Sequence, residues 1–296
     1  MFYGTNGKSI TRGERETANG RCRSGPLPEE LAESGRQHFF SCRARDLIMH
    51  APLKFTNHRI EEYALKVTYR PEDDTGKIIY NLSLIESRDL EFALSIMKEA
   101  HKRGITISDR LLVAGPGGQV GGYTVPDGRH AVCTMCSITL DALLLQRGIP
   151  ASPIGGGIVE VDGRVAQRFT SMILYRDTTL DPLEVLISQE ATSILDVMRQ
   201  GKGNILANIR ECHMEAEQLL GTVLDELSAI GFSGILDVGA PNVPLLGVPV
   251  SPQYIGVAMV GGTNAMAAVR ETGRPVMTRA LKGLIDIREM DYLDDY

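Results

Sequence analysis

Ala131-Val-Cys-Thr-Met-Cys-Ser-Ile-Thr-Leu-Asp-Ala-Leu-Leu-Leu-Gln-Arg-Gly-Ile-Pro150 decides how the chain is read. Ala131 to Met135 has the apolar run of a buried strand. Cys136 and Ser137 make a sharp turn, and a short apolar helix follows. Gly148 stands where a helix commonly ends in the left-handed conformation. The same construction returns near the C-terminus. Val257 to Val260 reads as a strand, Gly261-Gly-Thr-Asn264 as a turn, Ala265 to Thr272 as a helix, and Gly273 closes it. Val132, Gly148 and Pro150 fall on Val257, Gly273 and Pro275, a shift of 125.

The echo extends upstream. Gly76, Ile78, Asn81, Glu99 and Gly104 fall on Gly203, Ile205, Asn208, Glu226 and Gly231, a shift of 127. Downstream, Gly157-Ile-Val-Glu-Val161 resembles Gly283-Leu-Ile-Asp-Ile287. These spacings predict an α/β (mixed α+β) fold, internally duplicated with pseudo-twofold symmetry. Each copy is a hairpin-helix-strand-strand-helix-strand unit, at about 76–161 and 203–287, and the sheets are expected to be mixed. The hairpins are read as Ala64 to Tyr69 with Lys77 to Leu84, and Ser193 to Met198 with Asn204 to Arg210. A helix is predicted from an N-cap at Ser87 to Arg103. Asp181-Pro-Leu-Glu184 reads as a helix start stabilised by its two acids.

The 296 residues are 43% hydrophobic, enough for a sizeable core. Net charge is −6, which argues against a surface built as a whole for nucleic acid. Residues 1–57 differ from the rest: Gly- and Arg-rich, basic, and read as a poorly ordered arm. No apolar signal segment and no membrane-length apolar run occur. Five cysteines without regular spacing fit a reduced, cytoplasmic protein.

The candidate chemistry gathers at the two short helices. Their first turns offer free backbone N–H groups and a partial positive charge, which suit a small anion. Cys136, Ser137 and Thr139 stand at one start, and Gly262, Thr263 and Asn264 at the other. Asn208 and Arg210 share a strand face, where Arg210 either meets a carboxylate ligand or pairs with Glu211 or a neighbouring strand. Tight turns that need small residues explain the same pattern without a ligand. In Cys133-Thr-Met-Cys136, Cys133 is read as core. Cys136 has a second reading, a thiol of lowered pKa at a helix start. No metal site or metal cofactor is expected.

Cys136-Ser-Ile-Thr139, Thr179-Leu-Asp-Pro-Leu-Glu184, Thr192-Ser-Ile-Leu-Asp-Val197, Gly203-Asn-Ile-Leu-Ala-Asn-Ile-Arg-Glu211, Leu246-Gly-Val-Pro-Val250 and Gly261-Gly-Thr-Asn264 together resemble the regulatory domain of the archaeal nitrogen regulatory protein NrpR. The resemblance covers roughly residues 60–290. It implies a regulatory effector-binding domain over 58–296, not an enzyme. Family members repress nitrogen-assimilation genes and respond to 2-oxoglutarate, whose binding weakens their hold on DNA. Carried onto this sequence, the effector residues are Cys136, Ser137, Thr139, Asn208, Arg210, Gly262, Thr263 and Asn264. Arg176-Asp177 departs from the family, which commonly has Gly there, and Ile209 replaces a usual Phe. At the front, Ile10 to Thr17 resembles only the tail of a winged helix. The resemblance therefore implies a regulatory subunit that acts through a DNA-binding relative, as a homodimer or hetero-oligomer, with direct DNA contact through the basic arm as the lesser alternative. Two other readings stand beside it: an enzyme on a small carboxylate with Cys136 as nucleophile, and a ligand-independent scaffold.

Overall fold

The structure, a computed structural model, describes residues 53–296. The expected N-terminal arm and the winged-helix remnant lie outside them, except for the arm's last residues. The compact unit begins at Leu53, and helix α1 (Thr56–Ala64) starts just before the expected boundary.

From there the chain runs β1 (Lys77–Glu86), α2 (Leu90–Lys102), β2 (Arg110–Ala114), a small β3 (Gln119–Val120) and β4 (Tyr123–Thr124) hairpin, β5 (Arg129–Met135), α3 (Thr139–Gln146), β6 (Ala151–Asp162) and β7 (Val165–Leu174). Then follow α4 (Pro182–Ser188), α5 (Ile194–Gln200), β8 (Gly203–His213), α6 (Glu217–Ala229), β9 (Ile235–Val238), β10 (Tyr254–Val260), α7 (Asn264–Glu271), β11 (Val276–Asp286) and β12 (Asp291–Tyr292). A 3-10 turn leads into both α2 and α6.

Two five-stranded sheets result, in the orders β11-β1-β5-β2-β12 and β7-β6-β8-β10-β9. The order strand-helix-strand-strand-helix-strand recurs from β1 to β6 and from β8 to β11. Each half is a split βαβ arrangement, but its last strand is exchanged. β6 of the first half pairs with β8 of the second, and β11 of the second pairs with β1 of the first. The registers agree in both sheets. Asn81 lies opposite Thr134 and Ser83 opposite Val132. Asn208 lies opposite Met259 and Arg210 opposite Val257.

Three expectations need correction. The sheets are not mixed: every strand pairing is antiparallel. β1 and β2 do run parallel across α2, but β5 inserts between them and opposes both. The predicted strand at Ala64 to Tyr69 is the end of α1 followed by extended chain. Alternation holds only from Lys66 to Tyr69, where Val67 and Tyr69 are buried and Lys66 and Thr68 exposed, and it fails at the exposed Leu65. The Thr68 and Tyr69 amides donate to the Lys77 carbonyl at 3.1 and 3.2 Å and an isolated bridge joins Arg70 to Thr75, but no ladder forms, and a strand needs a paired neighbour. The predicted strand at Ser193 to Met198 is α5. Ile194, Val197 and Met198 are buried at the i, i+3, i+4 spacing of one helix face, and Gly201 ends it at φ 73°.

β1 and β8 are buried over nearly their whole lengths because both faces are covered. Helices cover one face. On the other, Tyr80 of β1 packs under Gly121, and Ile209 of β8 packs with Leu245 and Val248. Six of the eight α3 residues and six of the eight α7 residues are buried, so both short helices lie inside the molecule. Gly148 and Gly273, at φ 83° and 81°, end them as their positions predict.

Two acids hold helix starts between these layers. Asp181 accepts from the Leu183 and Glu184 amides, 2.9 and 3.2 Å away, with Pro182 at the first helical position of α4. The start of α5 is held from a distance: Glu271, at the end of α7, accepts from the Ile194 and Leu195 amides at 2.8 and 2.9 Å and from Thr192 Oγ1 at 2.6 Å. Glu271→Ala removes an acceptor from two helix-start amides and is expected to cost about 1–2 kcal/mol. A melting curve should fall by roughly 2–8 °C. An unchanged midpoint would show that water replaces the cap without loss.

Candidate functional site

The turns before α3 and α7 meet in the middle of the molecule. A Cβ on Gly262 would lie 2.3 Å from the Met135 carbonyl oxygen and 2.7 Å from Asn81 Nδ2. The two halves make the same local hydrogen bonds. The Cys136 amide donates to the Ile79 carbonyl at 2.9 Å, as the Gly261 amide does to Leu206 at 2.7 Å. Thr139 Oγ1 accepts from the Ile79 amide at 3.3 Å, and Asn264 Oδ1 accepts from the Leu206 amide at 2.8 Å. Asn264 Nδ2 also donates to the Leu206 carbonyl at 2.9 Å. Thr139 and Asn264 thus fasten the two helix starts to β1 and β8.

The buried asparagines occupy matching places with different partners. Asn81 Nδ2 donates to the Met135 carbonyl at 3.3 Å, and its Oδ1 accepts from the Leu281 amide at 3.2 Å. Asn208 Nδ2 donates to Ser137 Oγ at 2.5 Å, and its Oδ1 accepts from Arg210 Nη2 at 2.7 Å. Arg210 in turn makes an ion pair with Asp141 on α3. Both side chains are almost wholly buried, at 1% and 4% exposed.

This ion pair is poorly satisfied. Beyond the direct contact of Nε with Oδ1, neither Asp141 oxygen and neither Nε nor Nη1 of Arg210 has a further hydrogen-bond partner among the described residues. Burying two charges costs several kcal/mol per ion unless geometry and added hydrogen bonds offset it. The fold itself has no need of it. At the matching places of the other half stand Ser83 and Met266, both buried and neutral. Ser83 meets only Thr278, Oγ to Oγ1 at 3.0 Å. One junction is charged and its mate is not, which marks the charged one as the candidate site.

Burial dominates the site's titration. It pushes the Asp141 carboxyl up to about 6, with Arg210 pulling the other way. Asp181 is also pushed up to about 6, by burial against the backbone N–H groups that it caps. The Tyr175 phenol, also buried here, is held well above its ordinary value. The Cys136 thiol is pushed up to about 12. This corrects the lowered pKa expected of a helix-start thiol: desolvation outweighs the backbone contacts from Ile138 and Leu281. Cys133 is fully buried in the core.

Of the eight residues named from sequence, Ser137, Asn208 and Arg210 form one hydrogen-bonded chain. Cys136 and Thr139 stand in the same turn. Gly262 touches the mate junction, where Thr134 Oγ1 donates to its carbonyl at 2.8 Å. Thr263 is buried with its Oγ1 unpartnered among the described residues. Sequence reasoning missed Asp141, Tyr175 and Asp181 as members. Asp141 carried a signal, as the one charged residue inside an otherwise apolar helix segment. The Arg210–Glu211 alternative does not form: Glu211 instead accepts from the Ser251 amide and hydroxyl, at 2.7 and 2.6 Å.

The site is closed. Two clefts of about 470 and 450 Å³ lie to one side. The second is lined by Asp181, Glu184, Thr278 and Arg279, and Asp181 is the group that it shares with the charged junction. Among the described residues no cluster of metal-ligating side chains occurs, and no helix is long and apolar enough to cross a membrane.

Comparison with known proteins agrees with this arrangement. The Global nitrogen regulator NrpRI of Methanosarcina mazei is 34% identical over 236 residues, 80% of this chain and 72% of the relative. The Global nitrogen regulator NrpR of Methanococcus maripaludis is 32% identical over 229 residues, 77% of this chain but only 38% of the relative. The crystal structure of a nitrogen repressor-like protein from Methanococcus jannaschii superposes with a TM-score of 0.69 at 29% identity, covering 81% of this chain and 99% of that one. The family described as NrpR regulatory domains NRD1 and 2 matches residues 53–292. That span holds both junctions and both sheets, and the chain belongs to this family of nitrogen regulatory domains.

Proposed function

We propose that this chain is a 2-oxoglutarate-responsive regulatory subunit of a repressor of nitrogen-assimilation genes, acting through a DNA-binding partner. The observation that carries the reading is Arg210: a fully buried guanidinium whose Nη1 is unpartnered among the described residues, in line with Asn208 and Ser137 beside the first turn of α3. A carboxylate there would meet a charge-assisted donor and the positive end of a helix together. The remaining named residues, Cys136, Thr139, Gly262, Thr263 and Asn264, frame the two turns around it. The second carboxylate is assigned toward the cleft at Asp181 and Arg279. Because Arg210 is closed from solvent, binding requires the junction to open, and a ligand that stabilises the opened form shifts the assembly between states. The matched halves are read as an internal duplication in which one junction acquired charge. Against the enzymatic alternative stands the burial of Cys136, which pushes its thiol up to about 12.

Calorimetric titration with 2-oxoglutarate tests the reading. Binding is expected, with Asn208→Ala weakening it by roughly tenfold or more, since a hydrogen bond to a charged group contributes about 1.5–3 kcal/mol. No heat and no thermal shift at millimolar ligand would leave a ligand-independent scaffold as the better reading.

A further inference from the structure

We propose that Asp141 is an internal stand-in for the effector's carboxylate: a ligand carboxylate displaces it from Arg210, and the freed side chain takes up one proton from solvent. The inference rests on the effector reading above and adds how that site is regulated.

Three observations carry it. Asp141 sits in the first turn of α3 against Arg210, which is where a ligand carboxylate drawn to both the guanidinium and the helix start would have to lie. Its two oxygens find no partner other than Arg210 among the described residues, so that one contact holds it. The matching junction keeps the same backbone hydrogen bonds with Ser83 and Met266 in these places, so the pair is not required to build the turn. An acid that the fold does not need, poorly bonded and seated on the only buried arginine of the junction, has the character of a displaceable occupant.

The proton follows from the charges facing Asp141. Arg210 on β8 is the one cation. Cys136 in the turn and Tyr175 after β7 stay neutral, because burial raises both. Asp181 at the start of α4 is a second acid with a raised pKa, and it is retained by two backbone amides. With Arg210 beside it, Asp141 titrates at about 6. Handing Arg210 to an anionic ligand removes the one group that lowers this value and adds a negative neighbour. The pKa in the complex then lies above 6. Between the two values binding consumes a proton, and affinity falls as pH rises. Both carboxylates of 2-oxoglutarate are ionised throughout this window, so the ligand does not supply the proton.

The experiment is calorimetric titration of the full chain with 2-oxoglutarate at pH 7.5, in phosphate and in Tris, whose ionisation heats differ. The difference is expected to report uptake of about one proton per chain, and Kd should weaken by up to roughly tenfold from pH 7 to pH 8. Asp141→Asn should abolish the uptake, flatten the pH dependence and bind more tightly than wild type at pH 8. Asp181→Asn should retain the uptake. Wild-type binding without proton exchange, uptake lost in Asp181→Asn instead, or weaker binding by Asp141→Asn would each overturn the inference while leaving the effector reading intact. Absence of any binding to wild type would sink the effector reading itself. Should Asp141→Asn not fold, the two-buffer comparison on wild type decides alone.

Discussion

Arg210→Ser is expected to cost about 3–5 kcal/mol of folding stability, because it strands the Asp141 carboxylate in the interior without a counter-charge. The desolvation of that anion is present in wild type as well; the variant loses the guanidinium attraction that offsets it. The loss should depend on pH with a definite sign. Without Arg210 the folded-state pKa of Asp141 rises beyond the value of about 6 that it has beside the arginine. A raised acid favours the folded state at low pH, and that advantage disappears as pH climbs through the folded pKa. The deficit of Arg210→Ser should therefore be smaller at pH 5 than at pH 8 in urea denaturation. Adding Asp141→Met installs the pair of residues that the mate junction already tolerates. The double variant should regain most of the loss, a coupling of at least about 2 kcal/mol. It will not regain all of it, since Asn208 Oδ1 loses its donor. Additive losses in the double variant would mean that the two charges do not compensate each other.

Gly262→Ala is expected to cost about 3 kcal/mol or more, the upper end of what overpacking a core position does. The new methyl would meet the Met135 carbonyl and Asn81, and the nearest obstacle is backbone that cannot rotate away. The two turns would have to separate, and the junctions on both sides would open with them. The comparison is Ser137→Gly at the matching place of the other half. It removes one hydroxyl acceptor from Asn208 Nδ2 and should cost only about 1 kcal/mol plus the added backbone freedom. Near-equal losses from the two changes would show that the turns do not press on each other as their spacing indicates.

Much of the fold is legible in the residues. The apolar runs Ala131 to Met135 and Val257 to Val260 are strands, the segments after them are buried helices, and Gly148 and Gly273 end those helices. Ser193 to Met198 misled because a short apolar run fits either period, and its burial at i, i+3, i+4 needed a partner to reveal it. Of Ala64 to Tyr69 only the last four residues alternate in burial, and they form no ladder, since alternation records which side chains face the core and not whether a neighbouring strand exists. At the site, Asn208 and Arg210 were legible as one strand face. Thr139 and Asn264 read as ligand groups, whereas in this structure their side chains bond to the backbone at Ile79 and Leu206.

The sequence by itself determined the period of each element, the spacing of the two matching units and the family to which they belong. These are local properties, written in neighbouring residues and repeated along the chain. Only the tertiary structure decided which strand lies beside which, so that β6 and β11 are exchanged and every neighbour is antiparallel. It also decided that Arg210 meets Asp141 rather than the adjacent Glu211. The physical reason is the same in both cases. Partners far apart in sequence are chosen by the packing of whole layers, and a buried charge takes the counter-charge that this packing brings to it.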